Sequence, residues 1–282
     1  KTQLQNAIRS DQKYAEAFRL LGNLTKEEGD KQRDYAAKRY SYRYALASYE
    51  MYSKLAPNDP EGYKSTADLY FDIRDLGAAA KNYHKVLELT PNYPDVRLRL
   101  AQISRNGGDN DRAIADFTAA IKLDPKNAIT FNNRGFAYRN KGDTDKAIAD
   151  YQQAIKLNPN YALAFYNRGI AYYDKRDFDK ASTDLNRAIK INPNYAGAFH
   201  DRGITNYDKR EFDATLPGVD EGIAVKPNYA VTVNNKGNAY ENKRDDDRVT
   251  QEVNQTIKNN AAPAVAFYNR AAALLGTKDY AG

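Results

Sequence analysis

Residues 128–161 read AITFNNRGFAYRNKGDTDKAIADYQQAIKLNPNY, and residues 162–195 read ALAFYNRGIAYYDKRDFDKASTDLNRAIKINPNY. The two segments align without a gap, so the chain repeats itself every 34 residues. A fixed period of this length is typical of folds in which stacked helix pairs bury one another's apolar faces. Prolines and glycines mark the same period along the chain: Pro91, Pro125, Pro159, Pro193, Pro227, Gly135, Gly169, Gly203 and Gly237.

Each repeat predicts two amphipathic helices. Apolar residues recur at helical spacing over about 128–141, which predicts a helix A. Gly142 and Asp143 break this helix, and Asp143 is suited to cap the next one. A second helical stripe, helix B, runs to about Leu157, and Pro159 prevents its continuation. The pattern therefore predicts an antiparallel helix pair.

Small residues stand where the two helices of a pair would approach most closely. Counted from Ala128 as position 1, Gly135 occupies position 8 and Ala147 occupies position 20. A larger side chain at either position would push the helices apart. Aromatic residues at positions 4, 11 and 24 would fill the space between the helices and the next repeat.

On these residues the chain resembles tetratricopeptide repeat (TPR) proteins, with 34-residue repeats of the bacterial type. The family pattern is a large residue at position 4, Gly or Ala at 8, an aromatic at 11, Ala at 20, an aromatic at 24, Ala at 27 and Pro at 32. One repeat matches all seven: Phe131, Gly135, Tyr138, Ala147, Tyr151, Ala154 and Pro159. The resemblance implies an all-α fold, a right-handed α-solenoid of stacked antiparallel helix pairs.

The period divides the whole chain. We predict a single TPR solenoid over 1–282, with repeats 60–93, 94–127, 128–161, 162–195, 196–229 and 230–263. Residues 1–14 match part of a helix B and 264–282 part of a repeat, so we expect a fragment of a longer chain. Pro217 predicts a late start or a kink in the helix B of repeat 196–229.

The repeat over residues 15–59 is 11 residues longer than the others. Eleven residues are about three helical turns, so a helix can lengthen by that amount with its apolar stripe in phase. We predict an extended helix B from about Asp30 to Leu55. Its tyrosines divide into a stripe expected in the core and a pair expected to face elsewhere: Tyr35, Tyr42, Tyr49 and Tyr52 in the stripe, Tyr40 and Tyr44 in the pair.

The amino-acid composition excludes several kinds of functional site. It has no Cys and two His, which excludes disulfides, cysteine nucleophiles and multi-histidine metal sites. We find no glycine-rich phosphate loop or hydrolase elbow, and expect no catalytic residue, metal or cofactor. The 43 Lys and Arg are interleaved with 37 Asp and Glu, which disfavours nucleic acid as a partner. No apolar run is long enough to span a membrane, so we expect a soluble protein, cytoplasmic or periplasmic.

The resemblance also implies a binding groove, lined by positions 2, 5, 6, 9, 12 and 13 of the A helices. Position 6 reads Asn133, Asn167, Asp201, Asn235 and Asn269. Asn amides there would bond the backbone of an extended peptide, as in the asparagine ladder of O-linked N-acetylglucosamine transferases. Alternatively, Asn is simply common at this position of the family. Neighbouring groove residues are Tyr166, Tyr173, His200, Tyr207 and Tyr268, which would offer contact area, or would be merely solvated.

Position 7 is cationic, and an acid stands 16 residues later in two repeats. This spacing predicts the ion pairs Arg134–Asp150 and Arg168–Asp184 within a repeat. In repeat 196–229 the residue 16 positions after Arg202 is Gly218, so the acidic partner is missing there. We assign these pairs a structural role.

The favoured function is a non-enzymatic scaffold that binds a peptide or partner protein through its concave groove. An alternative is the TPR arm of a larger enzyme, such as a glycosyltransferase, whose catalytic part lies outside this chain. A third possibility is self-association through uncapped ends of the solenoid.

Overall fold

The computed structural model describes residues 1–10 and 14–211, in which every regular element is an α-helix. The helices are α1 (Thr2–Ser10), α2 (Ala15–Lys31), α3 (Tyr35–Leu55), α4 (Pro60–Asp72), α5 (Leu76–Leu89), α6 (Pro94–Asn106), α7 (Asn110–Leu123), α8 (Ala128–Lys141), α9 (Thr144–Leu157), α10 (Ala162–Asp174), α11 (Phe178–Ile191) and α12 (Ala196–Asp208). Consecutive helices pack as pairs, α2 with α3 and so on to α10 with α11. The predicted all-α solenoid of helix pairs is confirmed.

The chain divides into two compact units, residues 1–126 and 127–282. Helices α1 to α7 belong to the first unit, and α8 to α12 belong to the second. The single solenoid over 1–282 stays a prediction. The predicted irregular helix near Pro217 and the repeats that follow it lie outside the described residues.

The regular repeat follows its sequence closely. Helix α8 spans the predicted 128–141, and α9 ends at the predicted Leu157. Gly142 has φ 92°, the left-handed conformation that glycine adopts without steric cost. Asp143 stands at the N-cap of α9, but its carboxylate does not accept a backbone hydrogen there. It accepts from Lys146 Nζ at 2.9 Å instead, so the expected cap is replaced by an ion pair.

The long repeat corrects one prediction. Its helix B is α3, which begins at Tyr35 and not near Asp30. Asp34 explains the start, because its carboxylate accepts the backbone hydrogen of Ala37 at 2.7 Å. The extra length is shared: α3 has 21 residues against 14 in α9, while α2 has 17 against 14 in α8. The remaining extra residue lies in the turn.

Glycine at position 8 lets the helices of a pair touch. A Cβ on Gly135 would lie 2.8 Å from the ring of Tyr151, and a Cβ on Gly22 would lie 2.5 Å from the ring of Tyr49. Both distances are too short for a real contact, and both rings are buried. The predicted close approach of the two helices at position 8 is therefore confirmed in the long and the regular repeat, and the helix B tyrosine is the side chain that glycine contacts there.

The tyrosines of α3 divide almost as predicted. Tyr49 and Tyr52 are buried, Tyr42 is half-buried, and Tyr40 and Tyr44 are exposed. Tyr35 is 77% exposed, and its predicted place in the core is wrong. The reason is the later start of the helix, which puts Tyr35 in the first turn of α3.

Candidate peptide-binding face of the A helices

The A helices of the second unit lie side by side. Helix α8 contacts α10, and α10 contacts α12, so the A helices of successive repeats are direct neighbours. Because each repeat presents the same positions, side chains at positions 2, 5, 6, 9, 12 and 13 recur along one face. We call this surface, formed by α8, α10 and α12, the A-helix face.

Hydrogen bonds with a sequence separation of 35 residues connect these helices. Asn167 Nδ2 donates to Asn132 Oδ1 at 2.9 Å, and Tyr166 Oη donates to Asp201 Oδ2 at 2.7 Å. Both bonds join position 5 of one repeat to position 6 of the next. The offset is one residue more than the 34-residue period, so equivalent bonds recur along the face.

A second row of bonds joins position 12 to position 13 of the next repeat. Arg139 Nε donates to Asp174 Oδ2 at 2.6 Å, and Tyr173 Oη donates to Asp208 Oδ2 at 2.5 Å. Burial, together with the hydrogen bond to Asp208, raises the pKa of Tyr173 to about 12. The tyrosine therefore remains a neutral donor at physiological pH.

The position-6 side chains are largely covered by their neighbours. Asn133 and Asn167 are buried, and Asp201 is half-buried. Next to Asp201, His200 is also buried, and burial lowers the pKa of its imidazole against the opposing effect of the Asp201 carboxylate. Burial raises the pKa of Asp201, while the hydrogen bond from Tyr166 acts in the opposite direction.

Apolar side chains complete the face at position 2. Ile129 is 51% exposed and Leu163 is 39% exposed, at equivalent positions of successive repeats. Gly197 occupies the same position in the third repeat. A Cβ on Gly197 would lie 3.8 Å from the Tyr166 hydroxyl oxygen, an ordinary van der Waals distance.

The structure thus brings several predicted groove residues into contact. Tyr166 bonds Asp201, while Asn167 and Tyr173 bond residues that sequence reasoning did not select. The residues it missed are Asn132, Arg139, Asp174 and Asp208. The signal was present, because each pair is separated by one period plus one residue. Of the other predicted residues, Tyr207 is half-buried on α12, whereas Asn235, Asn269 and Tyr268 lie outside the described residues.

Both predicted ion pairs are present. Arg134 Nη2 lies 2.7 Å from Asp150 Oδ1, and Arg168 Nε lies 2.6 Å from Asp184 Oδ2. Each guanidinium donates two hydrogen bonds to its carboxylate, and both aspartates are buried. The hydrogen bond to Asp150 raises the pKa of Arg134. These pairs join helix A to helix B inside each of the two repeats and so hold the A helices in position.

Arg202 occupies the same position in the third repeat of the unit. Its Nη1 donates to Asn186 Oδ1 at 2.9 Å, while Gly218 lies outside the described residues.

In residues 1–10 and 14–211, no group of three or more His, Asp or Glu side chains is arranged to hold a metal ion. No helix in the same part of the chain combines the length and apolar character needed to cross a membrane.

Comparison with known proteins extends these observations. A family model described as TPR repeat matches residues 101–142 and 137–175, and one described as tetratricopeptide repeat matches 162–195. Among curated protein sequences, none matches the chain.

Solved structures of similar fold are also TPR proteins. The chain is 22% identical to YrrB, described as a TPR protein with an unusual peptide-binding site, over 71% of this chain and 97% of YrrB, with a TM-score of 0.60. It is 18% identical to the C-terminal part of a TPR repeat-containing protein from Cytophaga hutchinsonii, over 89% of this chain and 98% of that one, with a TM-score of 0.71. It is 26% identical to MamA, over 57% of this chain and 94% of MamA, with a TM-score of 0.54. With its helix pairs, its small and aromatic packing positions and these matches, the chain carries tetratricopeptide repeats over residues 101–195 and has the fold of TPR proteins.

Proposed function

We propose that the chain is a non-enzymatic scaffold that binds an extended segment of a partner protein on the A-helix face. The observation that supports this most directly is the pair of exposed aliphatic side chains, Ile129 and Leu163, beside two rows of polar side chains. The TPR fold itself suggests a role in protein–protein interaction, and YrrB is described as having a peptide-binding site.

The spacing of the aliphatic side chains suggests how a segment would lie. Packed helices are about 8–10 Å apart, so Ile129 and Leu163 repeat at about that distance along the face. A segment in polyproline II conformation rises about 3.1 Å per residue with three residues per turn. It therefore places residues i and i+3 on one side about 9 Å apart. An apolar pair at i and i+3 would contact Ile129 and Leu163 together.

The polar rows suggest the charge of the segment. Asp174, Asp201 and Asp208 contribute three carboxylates to the rows, against two guanidinium groups: that of Arg139 and that of Arg176, whose Nη1 lies 3.9 Å from Asp208 Oδ2. Hydrogen bonds already hold these side chains in place, so they would lose little conformational entropy when a segment binds. The excess of carboxylates favours a segment with Lys or Arg beside its apolar residues.

Direct binding measurements test the proposal. We would use the full chain and a fluorescent peptide with leucines at i and i+3 flanked by lysines, measured by fluorescence anisotropy. Substituting Ile129→Ser together with Leu163→Ser should weaken binding about tenfold, because the apolar contact area is lost. The control is Leu24→Ser with Leu123→Ser, which removes leucines that are 38% and 37% exposed in the other unit.

The control variant should bind as the unaltered chain does. Equal affinity of all three proteins for the peptide would contradict binding on the A-helix face. Equal weakening in both variants would show that the loss comes from general apolar contact and not from this face.

A further inference from the structure

The long repeat creates a second surface, which belongs to the first unit and includes none of the residues of the A-helix face. A cavity of about 680 Å³ lies beside the N-terminal half of α3 and the C-terminal end of α4. Helix α3 lines it with Tyr35, Lys38, Arg39, Tyr42 and Arg43. These residues stand at i, i+3, i+4, i+7 and i+8 from Tyr35, so they form one stripe along the helix. We call this surface the α3 cleft.

Helix lengths explain why the cleft is open. Helix α3 has 21 residues, and α4, the next helix in the chain, has 13. At 1.5 Å per residue they are about 31 Å and 20 Å long. Since the C-terminal end of α3 adjoins the N-terminal end of α4, about two turns of α3 extend beyond α4. The stripe on those turns therefore has no partner helix on this side.

The cations of the cleft are available for binding. Arg39 and Arg43 are exposed, and within residues 1–10 and 14–211 no carboxylate lies within 4.0 Å of either guanidinium. The nearby acids already have partners. Asp72 lies 3.3 Å from Lys26 Nζ, and Asp30 accepts a hydrogen bond from Tyr42 Oη at 2.6 Å.

The cleft also offers apolar contact. Tyr35 is 77% exposed, and Ile73, at the far side of the cavity, is 41% exposed. Leu46 lines the end of the cavity away from Tyr35. The stripe from Tyr35 to Leu46 is about 17 Å long, which is the length of about five residues of an extended chain.

We propose that the α3 cleft binds an acidic segment of a partner protein, independently of the A-helix face. Carboxylates of the segment pair with Arg39 and Arg43, whose guanidinium groups form two parallel hydrogen bonds with a carboxylate. An apolar side chain of the segment packs between Tyr35 and Ile73. A continuous phosphate backbone fits less well, because it would carry a negative charge past Asp72 as well, whereas a short segment can place its carboxylates beside Arg39 and Arg43 alone.

The test uses the full chain and a fluorescent peptide of five residues in which glutamates flank a central leucine. Substituting Arg39→Glu with Arg43→Glu should weaken binding at least tenfold, because two attractive contacts become repulsive. The neutral variant Arg39→Gln with Arg43→Gln should weaken it less and guards against misfolding of the reversed one. The control, Lys54→Glu with Lys81→Glu, makes the same change of net charge at exposed lysines away from the cleft and should bind normally.

Three results would overturn the proposal. Unchanged affinity of both arginine variants for the peptide would contradict binding in the α3 cleft. Equal loss in the lysine control would attribute binding to overall charge. Tighter binding of a short single-stranded oligonucleotide, lost in the same arginine variants, would assign the surface to nucleic acid. The lysine-flanked peptide used for the A-helix face should be unaffected by these substitutions, so the two proposals can fail separately.

Discussion

The long repeat, residues 15–59, and the regular repeat, residues 128–161, both pack a helix A on a helix B, but they do so with different helix lengths and polar contacts. Both place glycine at position 8 against a buried tyrosine, Gly22 against Tyr49 and Gly135 against Tyr151. They differ in helix length, in the turn between the helices and in the polar groups that connect them. The comparison shows that these two repeats keep the close contact at position 8 while the other features change, and in repeat 162–195 Leu185 takes the place of the tyrosine against Gly169.

The polar connection shows the difference most clearly. The regular repeat joins its helices by the buried pair Arg134–Asp150. At the corresponding positions the long repeat has Leu21 and Ser48, which are also buried. The Ser48 hydroxyl donates to the Tyr44 carbonyl of its own helix, so it makes no link between helices. The ion pair is therefore one of two ways to fill the same space.

Removing one partner of the ion pair should have the largest effect. Asp150→Ala leaves the half-buried guanidinium of Arg134 without its carboxylate, and we expect it to lower the free energy of unfolding by about 3 kcal/mol. Urea denaturation followed by circular dichroism would measure the loss. Asp184→Ala in the next repeat should behave in the same way, since Arg168 and Asp184 have the same geometry.

A double substitution tests whether the pair is replaceable. Arg134→Leu with Asp150→Ser copies Leu21 and Ser48 of the long repeat into the regular one. Because the double variant leaves no buried charge without a partner, and a serine hydroxyl can bond a carbonyl of its own helix as Ser48 does, it should be more stable than Asp150→Ala alone. A double variant that is less stable would show that the two repeats are not interchangeable at this point.

The next prediction concerns the buried tyrosine of helix B, which both repeats share. In the long repeat, Tyr49 Oη donates to Asn23 Oδ1 at 2.9 Å. Tyr49→Phe removes this bond and should cost about 1 kcal/mol at neutral pH. Burial raises the pKa of Tyr49 to about 12 from its ordinary 10.0, with a further contribution from Asp68. The folded state therefore favours the neutral hydroxyl.

The sign of the pH dependence follows from this shift. The stabilisation from a neutral Tyr49 is complete below pH 10 and is lost as the pH rises from 10 towards 12. Phenylalanine cannot ionise, so the stability advantage of the unaltered chain over Tyr49→Phe should shrink and then reverse over this range, because the loss over two pH units exceeds the hydrogen bond's contribution of about 1 kcal/mol. Denaturation at several alkaline pH values measures it, with Tyr40→Phe, at a 70% exposed residue, as the control. A difference that is constant with pH would contradict the raised pKa.

The sequence was sufficient for the features that lie within one repeat. The bounds of α8 and the two ion pairs follow from spacings of a few residues up to 16, which a single helix pair brings together. The division of the 11 extra residues was not predictable from the apolar stripe, because three turns keep the stripe in phase in either helix. Asp34, three residues before Ala37, was the overlooked sign of where α3 begins.

The bonds between repeats do not follow from a single helix pair, although their separation of one period plus one residue is visible in the sequence. Sequence analysis assigned Asn167 and Tyr173 to a ligand, whereas each bonds a side chain of the neighbouring A helix. Seeing this requires knowing that adjacent A helices are displaced so that position 5 meets position 6, and 12 meets 13. The displacement comes from how the repeats stack, which no single repeat specifies.

The smallest effect is expected at the turn, where the two kinds of repeat differ in backbone conformation. In the regular repeats, position 15 is left-handed: Gly142 has φ 92° and Arg176 has φ 63°. The long repeat has a turn one residue longer, and its Gln32 has φ −75°. Arg74, at the same position of repeat 60–93, has φ 67°. Arg74→Gly should therefore raise the free energy of unfolding by about 0.5 kcal/mol, because glycine removes the steric cost of the left-handed conformation.

The same substitution in the long repeat should have the opposite sign. Gln32→Gly relieves no strain and adds conformational freedom to the unfolded chain, so it should lower stability by about 0.5 kcal/mol. Thermal unfolding of both variants beside the unaltered chain measures the pair. Opposite signs would show that the extra turn residue lets the long repeat avoid a left-handed residue. Equal signs would mean that glycine acts at both turns through the unfolded chain alone, and the difference between the turns would then have no energetic consequence.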